Sequence, residues 1–300
     1  MANRGIEFFN RYSGKVETEE VYGEPWLRWV LFNPFGRISL HAVAKRIWFS
    51  RWYGWRMSKA ASASLVKPFI KRYHIDEEEH VKAAGEFTSF NDFFYRKLKA
   101  SARPVDADVD SVVFPADGRH LGFANASEVE GIFVKGQRFD LPNLLGCKKL
   151  AEQFAEGAVV FSRLCPVDYH RFHFPVSGVP NESRLINGFL YSVNPLALRD
   201  RLAILCENKR FVTEVQTERS GRMLVLEIGA TNVGSVNLSY VPTRPIMKGE
   251  EKGYFAFGGS AVLTLFEPGK VQLAEDLLEN SAQHRELYAK VGDRMGSIVS

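Results

Sequence analysis

Cysteine is scarce in this 300-residue sequence: Cys147, Cys165 and Cys206 are the only three, far apart and without the pair spacing of a metal site. An odd number argues against a disulfide framework and for reduced thiols facing a cytoplasmic compartment. Long apolar runs are lacking too. No stretch reaches the roughly 18 uncharged residues that a membrane-spanning helix needs. The opening Met1-Ala2-Asn3-Arg4-Gly5 runs into the charged segment Glu17 to Glu20 without a signal-peptide core, so membrane contact is expected only from the surface. There is no Walker loop, no G-x-G-x-x-G and no H-E-x-x-H, which removes the usual starting points for nucleotide or zinc-protease chemistry; no metal is expected. Repeats and low-complexity stretches are absent. With 45% hydrophobic and 25% charged residues, the composition is that of a folded protein.

One absence is regional. From Pro25 to Ile75 there is no Asp or Glu, although Arg28, Arg37, Lys45, Arg46, Arg51, Arg56, Lys59, Lys67, Lys71 and Arg72 all lie there. So do all five tryptophans, Trp26, Trp29, Trp48, Trp52 and Trp55, the last three spaced i, i+4 and i+7 as on one helix face. Cations drawn to anionic head groups, interleaved with amphipathic rings, suit a membrane-surface anchor. Packing of the rings on a protein core is the plainer alternative. A nucleic-acid surface would use the same residue types, but no nucleic-acid partner is expected.

The pattern predicts an α+β chain. Residues 1–103 read as a helical, basic and aromatic-rich membrane-associating region, with helices over 27–32, 38–55, 60–73 and 90–98, the last capped by Ser89. Residues 104–300 read as a β-rich, sandwich- or barrel-like catalytic domain. Its strands are expected over 111–114, 158–162, 171–174, 223–228 and 261–266, with a terminal helix over 276–290.

Three segments join reactive side chains to turn formers: Phe114-Pro115-Ala116-Asp117-Gly118, Asp168-Tyr169-His170-Arg171-Phe172-His173-Phe174-Pro175, and Phe257-Gly258-Gly259-Ser260. Singly, each has an ordinary explanation. Asp before Gly is a common turn pair, a histidine on a short strand is as often core as catalyst, and a serine after glycines is usually a loop hydroxyl. Together they supply Asp, His and Ser, which folding can gather whatever their chain order.

These motifs, with Phe90-Asn91-Asp92-Phe93-Phe94-Tyr95-Arg96-Lys97-Leu98, Gly229-Ala230-Thr231-Asn232-Val233-Gly234 and Lys248-Gly249-Glu250-Glu251, resemble the phosphatidylserine decarboxylase proenzyme family in both content and order. The resemblance implies self-cleavage between Gly259 and Ser260 into chains 1–259 and 260–300 that stay together as a heterodimer, a higher homo-oligomer being left open. It implies a cofactor made from the chain, a covalent pyruvoyl group (pyruvate) derived from Ser260. It further implies His173 as base, Asp117 holding its tautomer, and His170 as proton donor during turnover. The implied substrate is phosphatidylserine, met at the cytoplasmic face of the cell membrane by a peripheral enzyme. The family's serine is commonly followed by Thr; here Ala261 follows, which removes a neighbouring hydroxyl but not the nucleophile.

Other readings use the same residues. A Ser-His-Asp hydrolase would want a G-x-S-x-G elbow, but position 262 is Val. An unprocessed membrane-binding homologue, prompted by Ala261, and a decarboxylase of another amine-bearing substrate also stand beside the main reading.

Overall fold

A computed structural model describes residues 6–19, 52, 54–129, 140–191, 193, 203–229, 236–256 and 260–299. In chain order the strands are β1 (Ile6–Asn10), β2 (Lys15–Glu19), β3 (Ser111–Val113), β4 (Gly118–Phe123), β5 (Val159–Leu164), β6 (Arg171–His173), β7 (Val179–Pro180), β8 (Arg184–Ile186), β9 (Arg210–Gln216), β10 (Arg222–Ile228), β11 (Val236–Leu238), β12 (Glu251–Phe255), β13 (Ser260–Phe266), β14 (Val271–Leu273), β15 (Glu286–Ala289) and β16 (Arg294–Ile298). Ten of them form one sheet in the order β2-β1-β15-β4-β5-β13-β10-β9-β7, with β8 also on β9. Two three-stranded sheets, β11-β12-β6 and β14-β16-β3, complete the body.

The run Ala261 to Phe266 forms a strand because both of its faces are covered. Ala261, Leu263 and Leu265 meet a core shared with helices Leu141–Leu145, Lys148–Phe154 and Ile204–Glu207. On the other face, Val262 and Phe266 meet a second core shared with Phe172, Phe255, Leu273 and Met295 from the two small sheets. The large sheet is thus the middle layer, with helices on one side and the small sheets on the other. A third cluster, Met57, Val66, Phe69, Ile70, Phe87, Phe90, Phe93 and Phe94, packs helices Val66–Tyr73 and Phe90–Phe94 together, with Val167 against it.

The β-rich body agrees with the sequence expectation; the N-terminal region needs correcting. Residues 6–10, expected inside a helical region, form β1 and pair in parallel with β15, while β2 pairs with β1. The cause is a period-two pattern, Ile6 and Phe8 buried on either side of exposed Glu7. Residues 20–51 and 53, which hold most of the expected anchor, lie outside the described residues. No helix among the described residues is long and apolar enough to cross a membrane. Within 60–73 the chain is helical as expected, first as a 3-10 turn and then as an α-helix. The helix at Phe90 ends after Phe94, and Ser89 caps it by accepting from the Asp92 amide. The terminal helix stops at Ala282, and Leu287 belongs to β15.

Candidate active site

Ser260 opens β13 and pairs with Leu164 at the end of β5. Five residues upstream, Phe255 closes β12 in a different sheet and donates its amide to the His170 carbonyl at 2.9 Å. The chain thus changes sheet between Phe255 and Ser260; Gly259, on the upstream side of the expected cleavage bond, lies outside the described residues. His173 lies on β6 beside β12, opposite Glu251, and its amide donates to the Pro115 carbonyl at 2.7 Å. That bond brings the Pro-Ala-Asp-Gly segment alongside the histidine strand. Gly118 allows the next step, because a Cβ there would run into the Arg163 carbonyl of β5.

Ser260 is fully buried and its Oγ has no hydrogen-bond partner. The same is true of Nε2 of His173. Nδ1 of His173 lies 2.9 Å from the Gly249 carbonyl oxygen. A carbonyl only accepts, so Nδ1 carries the proton and Nε2 the lone pair. Burial lowers the pKa of His173, an effect partly opposed by the Gly249 bond and the charges of Glu251 and Asp117. The result is a neutral imidazole with its basic nitrogen open.

Asp117 differs from its expected role. Its buried carboxylate accepts from Arg103 Nε at 2.9 Å and Nη2 at 2.6 Å, and from the Val291 amide at 2.9 Å. The tautomer of His173 is set by Gly249, and Asp117 acts on it only through the field of its charge. In the sequence Arg103 is only the last residue of the N-terminal region, before Pro104. In the fold its guanidinium forms an ion pair with the buried Asp117 carboxylate at 2.6 Å, while also bridging to Glu79 at 2.9 Å.

His170 is fully buried, stacked on Phe94 at 3.8 Å between ring centroids, with Nδ1 donating to the Asp168 carbonyl at 2.9 Å. Asp168 itself is structural. Arg119 Nη1 reaches its two oxygens at 2.8 and 2.7 Å, and the Cys165 amide donates at 2.6 Å.

One further pair near Ser260 carried no sequence signal. The register of β12 against β6 slips between Glu251 and Gly253, and this bulge turns Lys252 inward. Its Nζ meets Glu227 Oε1 at 2.7 Å with both side chains fully buried, and the rings of Phe172, Phe174 and Tyr240 surround the ammonium. Glu227 pairs with Val262 across β10 and β13, on the sheet face that Ser260 shares.

Residues 90–297 match the family model described as phosphatidylserine decarboxylase. The chain belongs to the phosphatidylserine decarboxylase family. It is 42% identical over 292 residues to a protein of Fusobacterium nucleatum named phosphatidylserine decarboxylase proenzyme, covering 97% of both chains. A protein of that name from Chlamydia pneumoniae is 41% identical, over 97% of this chain and 96% of the relative. Another from Chlamydia muridarum is 41% identical over 300 residues, the full length of both. The decarboxylase family match spans β3 to β16 and so contains Asp117, His170, His173 and Ser260 together.

Proposed function

We propose that this chain is a precursor that cuts itself between Gly259 and Ser260 and then decarboxylates phosphatidylserine to phosphatidylethanolamine and CO2. The observation that carries the reading is a pair of buried, unpartnered reactive atoms, Ser260 Oγ and His173 Nε2. Such atoms cost about 1–3 kcal/mol each when left unbonded, so they belong where chemistry uses them.

His173 Nε2 takes the hydroxyl proton as Oγ adds to the Gly259 carbonyl, and the peptide becomes an ester with the Ser260 nitrogen as leaving amine. Loss of the Ser260 α-proton then breaks the Cβ–Oγ bond and releases residues 1–259 with a carboxylate end. The dehydroalanine left at 260 tautomerises and is hydrolysed, losing ammonia. A pyruvoyl group so formed supplies the electron sink for loss of CO2 from an amine-bearing substrate. His170 Nε2 is the atom proposed to return a proton to the substrate α-carbon. The fragments stay joined as a heterodimer because β13, the start of the small chain, hydrogen-bonds β5 on one side and β10 on the other.

A nucleophile-elbow hydrolase is disfavoured, since Ser260 starts a buried strand and not the elbow's helix. Intact-mass measurement of the purified protein tests the proposal. Two chains, with the smaller bearing pyruvate at its N-terminus, are expected; one uncut chain after prolonged incubation would overturn it.

The reading includes peripheral docking at the cytoplasmic face of the cell membrane. Trp52, Trp55 and Leu65 are exposed among Arg56, Lys59, Lys67, Lys71 and Arg72. Three free cysteines accord with a reducing compartment. Truncation before Ile75 would remove β1 and β2 from the sheet, so substitution is the cleaner test. Trp55→Ser with Lys67→Glu and Lys71→Glu should reduce sedimentation with anionic liposomes, and unchanged binding would remove the docking assignment.

A further inference from the structure

Arg96 follows the helix Phe90–Phe94 and is only 5% exposed, yet its Nε and Nη1 have no hydrogen-bond partner. Nη2 has one long contact, 3.4 Å to the Val167 carbonyl. The guanidinium carbon sits 4.8 Å from the centroid of Phe93, so the ring covers one face and leaves the in-plane donors open. Burial lowers its pKa to about 10, which keeps it cationic at neutral pH.

The anions nearest to it do not satisfy it. Asp117 directs its oxygens at Arg103 and Val291, Asp168 at Arg119 and Cys165, and Glu79 at Arg103 and Lys290. His80, close enough for its titration to feel the Arg96 charge, also has both ring nitrogens unpartnered, and burial holds it neutral with a pKa of about 4. A buried cation with two of its three nitrogens unpaired is costly, a penalty that an incoming anion would relieve. Its place in the fold says which anion. Arg96 extends to Val167, at the start of the segment carrying His170, and Phe94 of the same motif stacks on the His170 ring.

We propose that Arg96 is the substrate anchor of this site, its open donors taking an oxyanion of the phosphatidylserine head group. The inference rests on the decarboxylase reading. The shared chemistry is a bidentate guanidinium–oxyanion contact, and the oxyanion is either the serine carboxylate or the phosphodiester.

The test is Arg96→Met, with Arg96→Lys as the charge-preserving variant, in phosphatidylserine mixed micelles. Activity is counted per pyruvoyl-bearing chain by intact mass. Arg96→Met should raise KM by about 10- to 100-fold, with a smaller change in kcat, and Arg96→Lys should recover part of the loss. Removing an unpaired buried charge should leave Tm equal or higher. Inhibition by phosphatidylethanolamine, which lacks the carboxylate, separates the two sources. An unchanged inhibition constant in Arg96→Met assigns the carboxylate, and a parallel rise assigns the phosphodiester. A lowered Tm, or an unchanged KM in both variants, overturns the anchor. If wild-type protein releases no CO2 from phosphatidylserine, the decarboxylase reading itself fails, which is a separate and recognisable outcome.

Discussion

His173 donates through Nδ1 to the carbonyl oxygen of Gly249 at 2.9 Å, and Gly249 can aim that carbonyl because its backbone is left-handed, with φ of +79°. This relationship gives Lys248-Gly249 a function. Most residues resist such a φ by about 1–2 kcal/mol. A Cβ at 249 would also lie 2.5 Å from a methyl of Val105. Gly249→Ala should therefore fold with lower stability and self-cleave at least about tenfold more slowly, since a shifted carbonyl leaves the base in mixed tautomers. A gel time course of freshly purified protein reads this directly. Cleavage at the wild-type rate would mean that another group sets the tautomer.

The depressed pKa of His173 fixes a pH dependence. Burial is the main cause, and the group binds its proton less readily folded than unfolded. The basic form therefore persists below the ordinary histidine value of about 6.5. Self-cleavage should stay flat as pH falls through that value and decline only below it. Stability has the same sign. The folded state loses up to about 1.4 kcal/mol per pH unit and per histidine between the unfolded and folded pKa values, an effect shared by His120, which burial lowers to about 3. Rates of a slowed variant followed from about pH 5 to 8 check the profile. A midpoint at or above the ordinary histidine value would contradict it.

Asp117, His173 and Ser260 stand out as candidates in the sequence because each sits in a motif whose turn chemistry and reactive side chain coincide. The strand after Ser260 was legible from its unbroken apolar run. The partners of these residues were not. Arg103 and Asp117 are fourteen residues apart along the chain but meet through a bidentate ion pair, and an arginine before a proline carries no local sign of that. Lys252 carries no local sign of burial, and the bulge turns it inward. At the N-terminus, the aromatic and basic stretch after residue 25 overshadowed the short alternation at Ile6–Asn10. Strand pairing with β15, almost three hundred residues away, decides that segment.

The Glu227–Lys252 pair should be asymmetric under mutation. Burial raises the pKa of the carboxyl and lowers that of the ammonium, and each partner offsets the other. Lys252→Met leaves an unpaired buried acid and should cost about 3–5 kcal/mol, whereas Lys252→Met with Glu227→Leu should cost much less. Thermal or chemical denaturation of both variants measures the difference. If the double variant is as unstable as the single one, the pair is not acting as a compensated charge pair.

The register of β13 settles which way the Ala261 side chain points. Ala261 pairs with Arg163 on β5 and Ile228 on β10, and it joins the core containing Leu263 and Leu265, whereas Ser260 pairs with Leu164 on the opposite face. Alternation along a strand separates neighbouring side chains to opposite sides of the sheet. A threonine hydroxyl at 261 would thus enter the helix-covered core and not approach Ser260 Oγ. Arg163 beside it already commits its donors to Glu19, Glu286 and Cys165. Ala261→Thr should leave the self-cleavage rate within about twofold, while overpacking and an unmatched hydroxyl lower stability by about 1–3 kcal/mol. Cleavage kinetics and Tm of the variant distinguish the cases. An acceleration of about tenfold or more would show that a hydroxyl at 261 assists the attack despite facing the other side of the sheet.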